Sequence, residues 1–183
     1  RLIALAIVAV LMLAPWVFDY LSHGATYATA TAENPSSYRA AIWQHVIELI
    51  HQHPLTGSGL GVLRTMRDTV DTGAFAGELM VPNHAHNMML QLWVETGAVG
   101  AGLMSLAIML AGWRLPDARK LGAGGIKAAA LVGAMAAVAT VSFDLWNDAW
   151  WSACGLLAVL AAATPDGVAQ AQRAAPEGGG LIF

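Results

Sequence analysis

The 183-residue chain is 57% hydrophobic and only 11% charged, with a mean hydropathy of +0.56. Ordinary soluble domains carry about 25% charged residues, so too little polar surface remains here to clothe a soluble globule, and composition points to a membrane protein. A net charge of −3 with no basic run argues against a nucleic-acid partner, and the single Cys154 excludes a disulfide framework or a cysteine-based metal site.

Arg1 stands directly inside a hydrophobic run with no secretory leader pattern ahead of it. We take the chain as part of a longer polytopic protein. Residues 1–21 form the first spanning candidate, close to the ~20 residues a helix needs to cross a bilayer. Pro15 should kink it near its exit, and Trp16 and Tyr20 suit the interfacial belt. Residues 22–87 read as one large loop domain outside the bilayer. Its first part, to Ser37, is rich in Ala, Thr and Ser. From Ser37 an amphipathic helix should run to Pro54, capped by Ser36 or Ser37, with Tyr38, Ile42, Val46, Leu49 and His53 in one stripe. It is too short and polar to span, so it belongs at the membrane surface. Arg39 lies in its first turn, where a guanidinium beside helix amides suits a phosphate.

The glycine-rich stretch Gly57-Ser58-Gly59-Leu60-Gly61 is not followed by the Gly-Lys-Ser/Thr of a nucleotide-binding loop and reads as a turn between short helices. Arg64 and Arg67 follow, with Asp68 and Asp71 nearby, as a solvated charged face. Residues 72–81 read as a mobile loop. Then comes Pro82-Asn83-His84-Ala85-His86-Asn87, at the head of an apolar helix from Met88 to about Trp113. With Asn83 as N-cap, His86 falls in the first turn, where amide groups and the helix dipole disfavour a charged imidazole. A histidine kept neutral at pH 7 can take a proton, so His86 is a candidate general base. Glu95, about half a turn out of phase, faces away from it.

Residues 88–163 should supply three spans, the second over 126–143 and the last from about 150, with an aromatic turn from Phe143 to Trp151 between them. Arg114, Arg119, Lys120 and Lys127 gather in the 114–127 loop, out of nine Lys and Arg in all. By the positive-inside rule that loop is cytoplasmic. The 22–87 loop then faces the periplasm of a bacterium, where ATP is absent and an activated substrate must arrive on a lipid. The tail from 164 reads as disordered and cytoplasmic. The expected fold is therefore all-α: a polytopic membrane protein with about four transmembrane helices and a large periplasmic loop carrying amphipathic helices.

Two local patterns resemble the bacterial O-antigen ligase and polymerase family. One is His86-Asn87, nine residues, then Gly97-Ala98-Val99-Gly100; the other is Arg39 with Trp43, followed by Pro54-Leu55-Thr56-Gly57-Ser58-Gly59. The resemblance covers roughly residues 37–162. It implies the C-terminal part of a C-type glycosyltransferase in the inner membrane, multi-pass, with its site facing the periplasm. Such enzymes move a glycan from undecaprenyl diphosphate to an acceptor hydroxyl, on the lipid A core for a ligase, with no nucleotide sugar, cofactor or obligatory metal. By this resemblance His86 matches the residue that activates the acceptor, and Arg39 the one that holds the diphosphate. Arg64, Arg67 and Asn87 are further substrate-binding candidates. The family has ten or more spans, and the arginines of its earlier loops have no counterpart in this chain.

Polymerisation of O-antigen and O-glycosylation of protein remain open within this reading. A transporter component fits less well, because the spans carry almost no interior charge. A metal-binding module using His51, His53, His84 and His86 would lack cysteine or acidic partners, a weak zinc pattern.

Overall fold

A computed structural model describes residues 1–114, 122–141 and 144–162. Among these the chain is all-helical, with two isolated β-bridges and no strand. The helices are α1 (Leu2–Leu21), α2 (Pro35–Gln52), α3 (Val62–Thr65), α4 (Met88–Arg114), α5 (Gly122–Ala139) and α6 (Asp148–Ala162). Among the described residues, α1 and α4 alone are long and apolar enough to cross a membrane; α5 and α6 have 18 and 15 residues. Arg119 and Lys120 of the expected basic loop, Phe143 of the aromatic turn and the tail from 164 lie outside the described residues.

The chain divides into two compact units. The first comprises residues 1–115 and 136–147, the second 116–135 and 148–183. In the second, the described parts of α5 and α6 expose apolar side chains, Ile126, Val132, Leu156 and Val159 among them.

In the first unit α1 packs on α4 and α2, and α2 packs on α4. Leu11, Ala14 and Phe18 of α1, Ile42, Val46 and Ile50 of α2, and Leu90 and Val94 of α4 share one buried core. The other faces of α1 and α4 present Leu5, Leu13, Leu103 and Leu106 outward, as helices in lipid do. Pro15 lies inside α1. Lacking an N–H, it leaves the carbonyl of Leu11 without its helical donor, and the Trp93 indole Nε1–H supplies one at 2.8 Å.

Three local expectations need correction. The cap of α2 is Asn34, not Ser36 or Ser37: its side chain accepts from the Ser36 amide, and Pro35 takes the first helical position, where a missing N–H costs nothing. Residues 72–81 are not a free loop. Val70 N–H donates to the Glu78 carbonyl and Met80 N–H to that of Asp68, both at 2.8 Å, so residues 68–80 fold back as a tight hairpin. The hydroxyls of Tyr27 and Tyr38 pin its return arm through the carbonyls of Met80 and Leu79. The third correction concerns α4, which is broken.

Gly97 has φ 62° and ψ −163°, a conformation open essentially only to glycine. The break removes helical partners on both sides, and the glycine-rich turn after α2 replaces them. Ser58 and Gly59 amides donate to the carbonyls of Val94 and Glu95 (2.7 and 3.1 Å), while Ala98 and Val99 amides donate to those of Pro54 and Leu55 (2.9 and 3.1 Å). The two backbones approach so closely that a Cβ at Gly57 or Gly97 would strike the other segment's main chain. At Gly100 it would meet the Thr96 side chain, so the spacing of the two glycines in the 97–100 motif has a steric reason.

Candidate functional site

Asn87 caps α4, and Asn83 does not. The Asn87 Oδ1 accepts from the amides of Met89 and Leu90, both at 3.0 Å, and its carbonyl takes the first helical bond, from Gln91. His86 therefore precedes the helix, one step outside the first turn expected for it. It stands in the left-handed region at φ 52°, alone among the described non-glycine residues. Backbone strain of this kind costs of order 1–3 kcal/mol and concentrates at functional sites.

The residue between the two histidines is held from α2. Trp43 Nε1–H donates to the carbonyl of Ala85 at 3.0 Å, and Ala85 is wholly buried. Arg39 sits one helical turn before Trp43, on the same side of α2, so the Arg-x-x-x-Trp spacing carries a guanidinium toward the anchored histidines. His84 and His86 lie ring against ring, 4.1 Å between centroids. Burial and then the nearby His84 and Arg39 bring His86 down to about 4. Burial also lowers His84, opposed by Asp144 and assisted by Arg64 and Arg39. Both imidazoles are thus neutral at pH 7. Among the described residues neither makes a hydrogen bond, and the exposed Arg39 makes no ion pair.

A second group adjoins the pair. Arg64 meets Asp144 at 2.7 Å, and Asp144 also accepts from Gln91 Nε2 (2.8 Å) and the Trp146 amide (3.0 Å). Burial pulls Asp144 upward, but the Trp146 amide, Arg64 and Gln91 together hold it below its ordinary value. Gln91 extends the network to Glu95 (3.1 Å) and accepts from the Leu145 amide, while Trp146 Nε1–H closes it on Glu95 at 2.9 Å. Gln91, Glu95 and Asp144 are all buried. The network was not anticipated from sequence, because it joins α4 to a turn about fifty positions further on; a glutamine and a glutamate one turn apart in an apolar helix were the available sign.

The structure thus brings Arg39, Arg64 and His86 within electrostatic reach of His84, and Arg39 within reach of His86. Arg67 turns back on α3, donating to the carbonyls of Arg64 and Met66. Asn87 is wholly buried, its Oδ1 spent on the cap and its Nδ2 without a partner among the described residues. Among the described residues no group of three His, Cys, Asp or Glu side chains could hold a metal ion.

Comparison with known proteins matches residues 1–105 to a family model described as O-antigen ligase. No curated protein and no solved structure matches.

Proposed function

The chain belongs to the O-antigen ligase family, and from that premise we propose that it transfers a glycan from undecaprenyl diphosphate to an acceptor hydroxyl on the periplasmic face of the inner membrane. The lipid A core is the acceptor we favour. Family membership supports an enzyme of lipid-linked glycan transfer; the donor, acceptor and residue roles are our reading.

In this reading the acceptor oxygen attacks the anomeric carbon of the donor sugar, and the bond from that carbon to the diphosphate oxygen breaks. The acceptor proton passes to His86. Undecaprenyl diphosphate leaves with its charge met by Arg39, bidentately, and by Arg64. Asn87 fixes the strained turn that presents His86, and Arg67 is a more distant member of the cationic surface. The observation that carries the proposal is a neutral His86 beside an Arg39 that makes no ion pair among the described residues. The base is present in its proton-accepting form, and no carboxylate among the described residues already holds the cation.

The test is His86→Ala introduced at the native locus, with membrane insertion checked by immunoblot and surface glycan run on a gel. Loss of long-chain glycan from lipid A with accumulated lipid-linked polymer is the expected result. Single repeats without a polymer ladder would instead make the enzyme a polymerase, and loss of glycoprotein alone would make the acceptor a protein. An unchanged glycan profile with the variant normally inserted would remove His86 from the mechanism.

A further inference from the structure

The turn between α2 and α3 is uncharged from Pro54 to Leu63, and it exposes Leu55 and Leu60 at 66% and 70%. Much of its backbone, in contrast, is bonded inward. Besides the four bonds into the break of α4, Gly57 N–H donates to the His53 carbonyl (2.9 Å), Val62 N–H to that of Gly59 (3.3 Å) and Arg64 N–H to that of Gly61 (3.0 Å). A turn in water can leave its amides and carbonyls to the solvent. In hydrocarbon each unanswered group costs several kcal/mol, so irregular backbone survives at membrane depth only where protein partners answer it. Exposed leucines on a turn whose Gly57, Ser58 and Gly59 amides and Pro54, Leu55, Gly59 and Gly61 carbonyls are answered by protein fit the second environment.

The geometry of α4 gives the depth. From Ala98 to Arg114 it rises roughly 25 Å at 1.5 Å per residue, and the hydrocarbon core is about 30 Å thick. With Arg114 at the far boundary, the near boundary falls around Val94 and Glu95, where Ser58 and Gly59 are bonded. Val99, 58% exposed, continues the same apolar surface below. We propose that the 54–61 turn is a re-entrant element whose Leu55 and Leu60 insert among the acyl chains of the leaflet that α4 enters on the side of the His84–His86 pair. The inference rests on α4 crossing the bilayer and is independent of the transfer chemistry. It places Arg64, four residues beyond Leu60, at the height of lipid phosphates.

Fluorescence quenching tests it. In a Cys154→Ser background, the full chain carries one bimane-labelled cysteine, from Leu60→Cys, Leu103→Cys in α4, or Gln52→Cys at the exposed end of α2. Each protein is reconstituted in phosphatidylethanolamine–phosphatidylglycerol vesicles and challenged with 5-doxyl lipid or with aqueous iodide. The labels at 60 and 103 are expected to be quenched severalfold more by doxyl lipid than by iodide, and the label at 52 the reverse. Iodide quenching at 60 with doxyl quenching at 103 would put the turn in water and overturn the proposal. Iodide quenching at 103 would mean that α4 does not cross, and the proposal would fail at its premise.

Discussion

Trp93 and Leu11 stand 82 residues apart, and the indole N–H of the first closes the one carbonyl that Pro15 leaves open in α1. The bond is buried and joins the two helices best suited to span a bilayer. Trp93→Phe keeps most of the ring and removes only the donor. An unanswered buried carbonyl costs about 1–3 kcal/mol, so the variant should melt several degrees lower in detergent. In a Pro15→Ala background the restored peptide N–H serves Leu11, and the same change should cost much less. An equal loss in both backgrounds would refute the pairing.

Gly97→Ala should be far more damaging than Gly102→Ala five residues on. At Gly97 the backbone is left-handed and a methyl group strikes the Leu55 main chain, whereas at Gly102 a methyl group meets open space. Strain alone costs of order 1–3 kcal/mol, and the collision adds to it by prising the 54–59 turn from α4. Monodisperse protein recovered after extraction should fall severalfold for the first variant and stay unchanged for the second.

These positions also show where sequence reading ran out. The spans over α1 and α4, the amphipathic α2 and the histidine–arginine motif were legible, because periodicity and local spacing carry them. The break at Gly97 was not, since an isolated glycine in an apolar run reads as tolerated until another segment is seen to bond there. Asn83 and Asn87 were equal as caps by residue type. Trp43, drawing on the Ala85 carbonyl from another helix, holds 84–86 off the helix axis, and Asn87 becomes the cap. The Gln91–Glu95–Asp144 network stayed hidden for the same reason: the bonds that tie Asp144 and Trp146 to the local Gln91–Glu95 pair are long-range, and no period announces them.

Stability should depend on acidity in a window set by the histidines. Folded His86 sits at about 4 and His84 below its ordinary 6.5, while both titrate near 6.5 when unfolded. Below that value the unfolded chain binds more protons, so their contribution is complete above about pH 6.5 and is lost as pH falls toward 4. Asp144, also held low, adds a further loss below its ordinary 3.8. The double variant His84→Gln, His86→Gln should flatten the melting-temperature curve between pH 6.5 and 4 and leave the steeper acid limb.

Catalysis should show a different shift. Arg39 helps hold His86 low in the free protein. A donor diphosphate would offset that charge and favour the imidazolium, so the acid limb of kcat should lie at higher pH than that of kcat/KM. Arg39→Lys keeps the charge but not the planar fork. It should cost about tenfold or more in kcat/KM while leaving the acid limb of kcat/KM nearly in place. A variant of full activity would discount the bidentate contact.

The bonds that close α1 and α4 also impose an order in time. A ribosome delivers Leu11 long before Trp93, and the amides of Ser58 and Gly59 before Val94 and Glu95 exist to receive them. A bilayer-crossing α1 would therefore enter the lipid with a carbonyl still unanswered, and the glycine-rich turn would wait for its receptor. Both are answered when the stretch around Trp93 emerges, so a nascent chain stalled before it would hold α1 and the turn with these backbone groups still open.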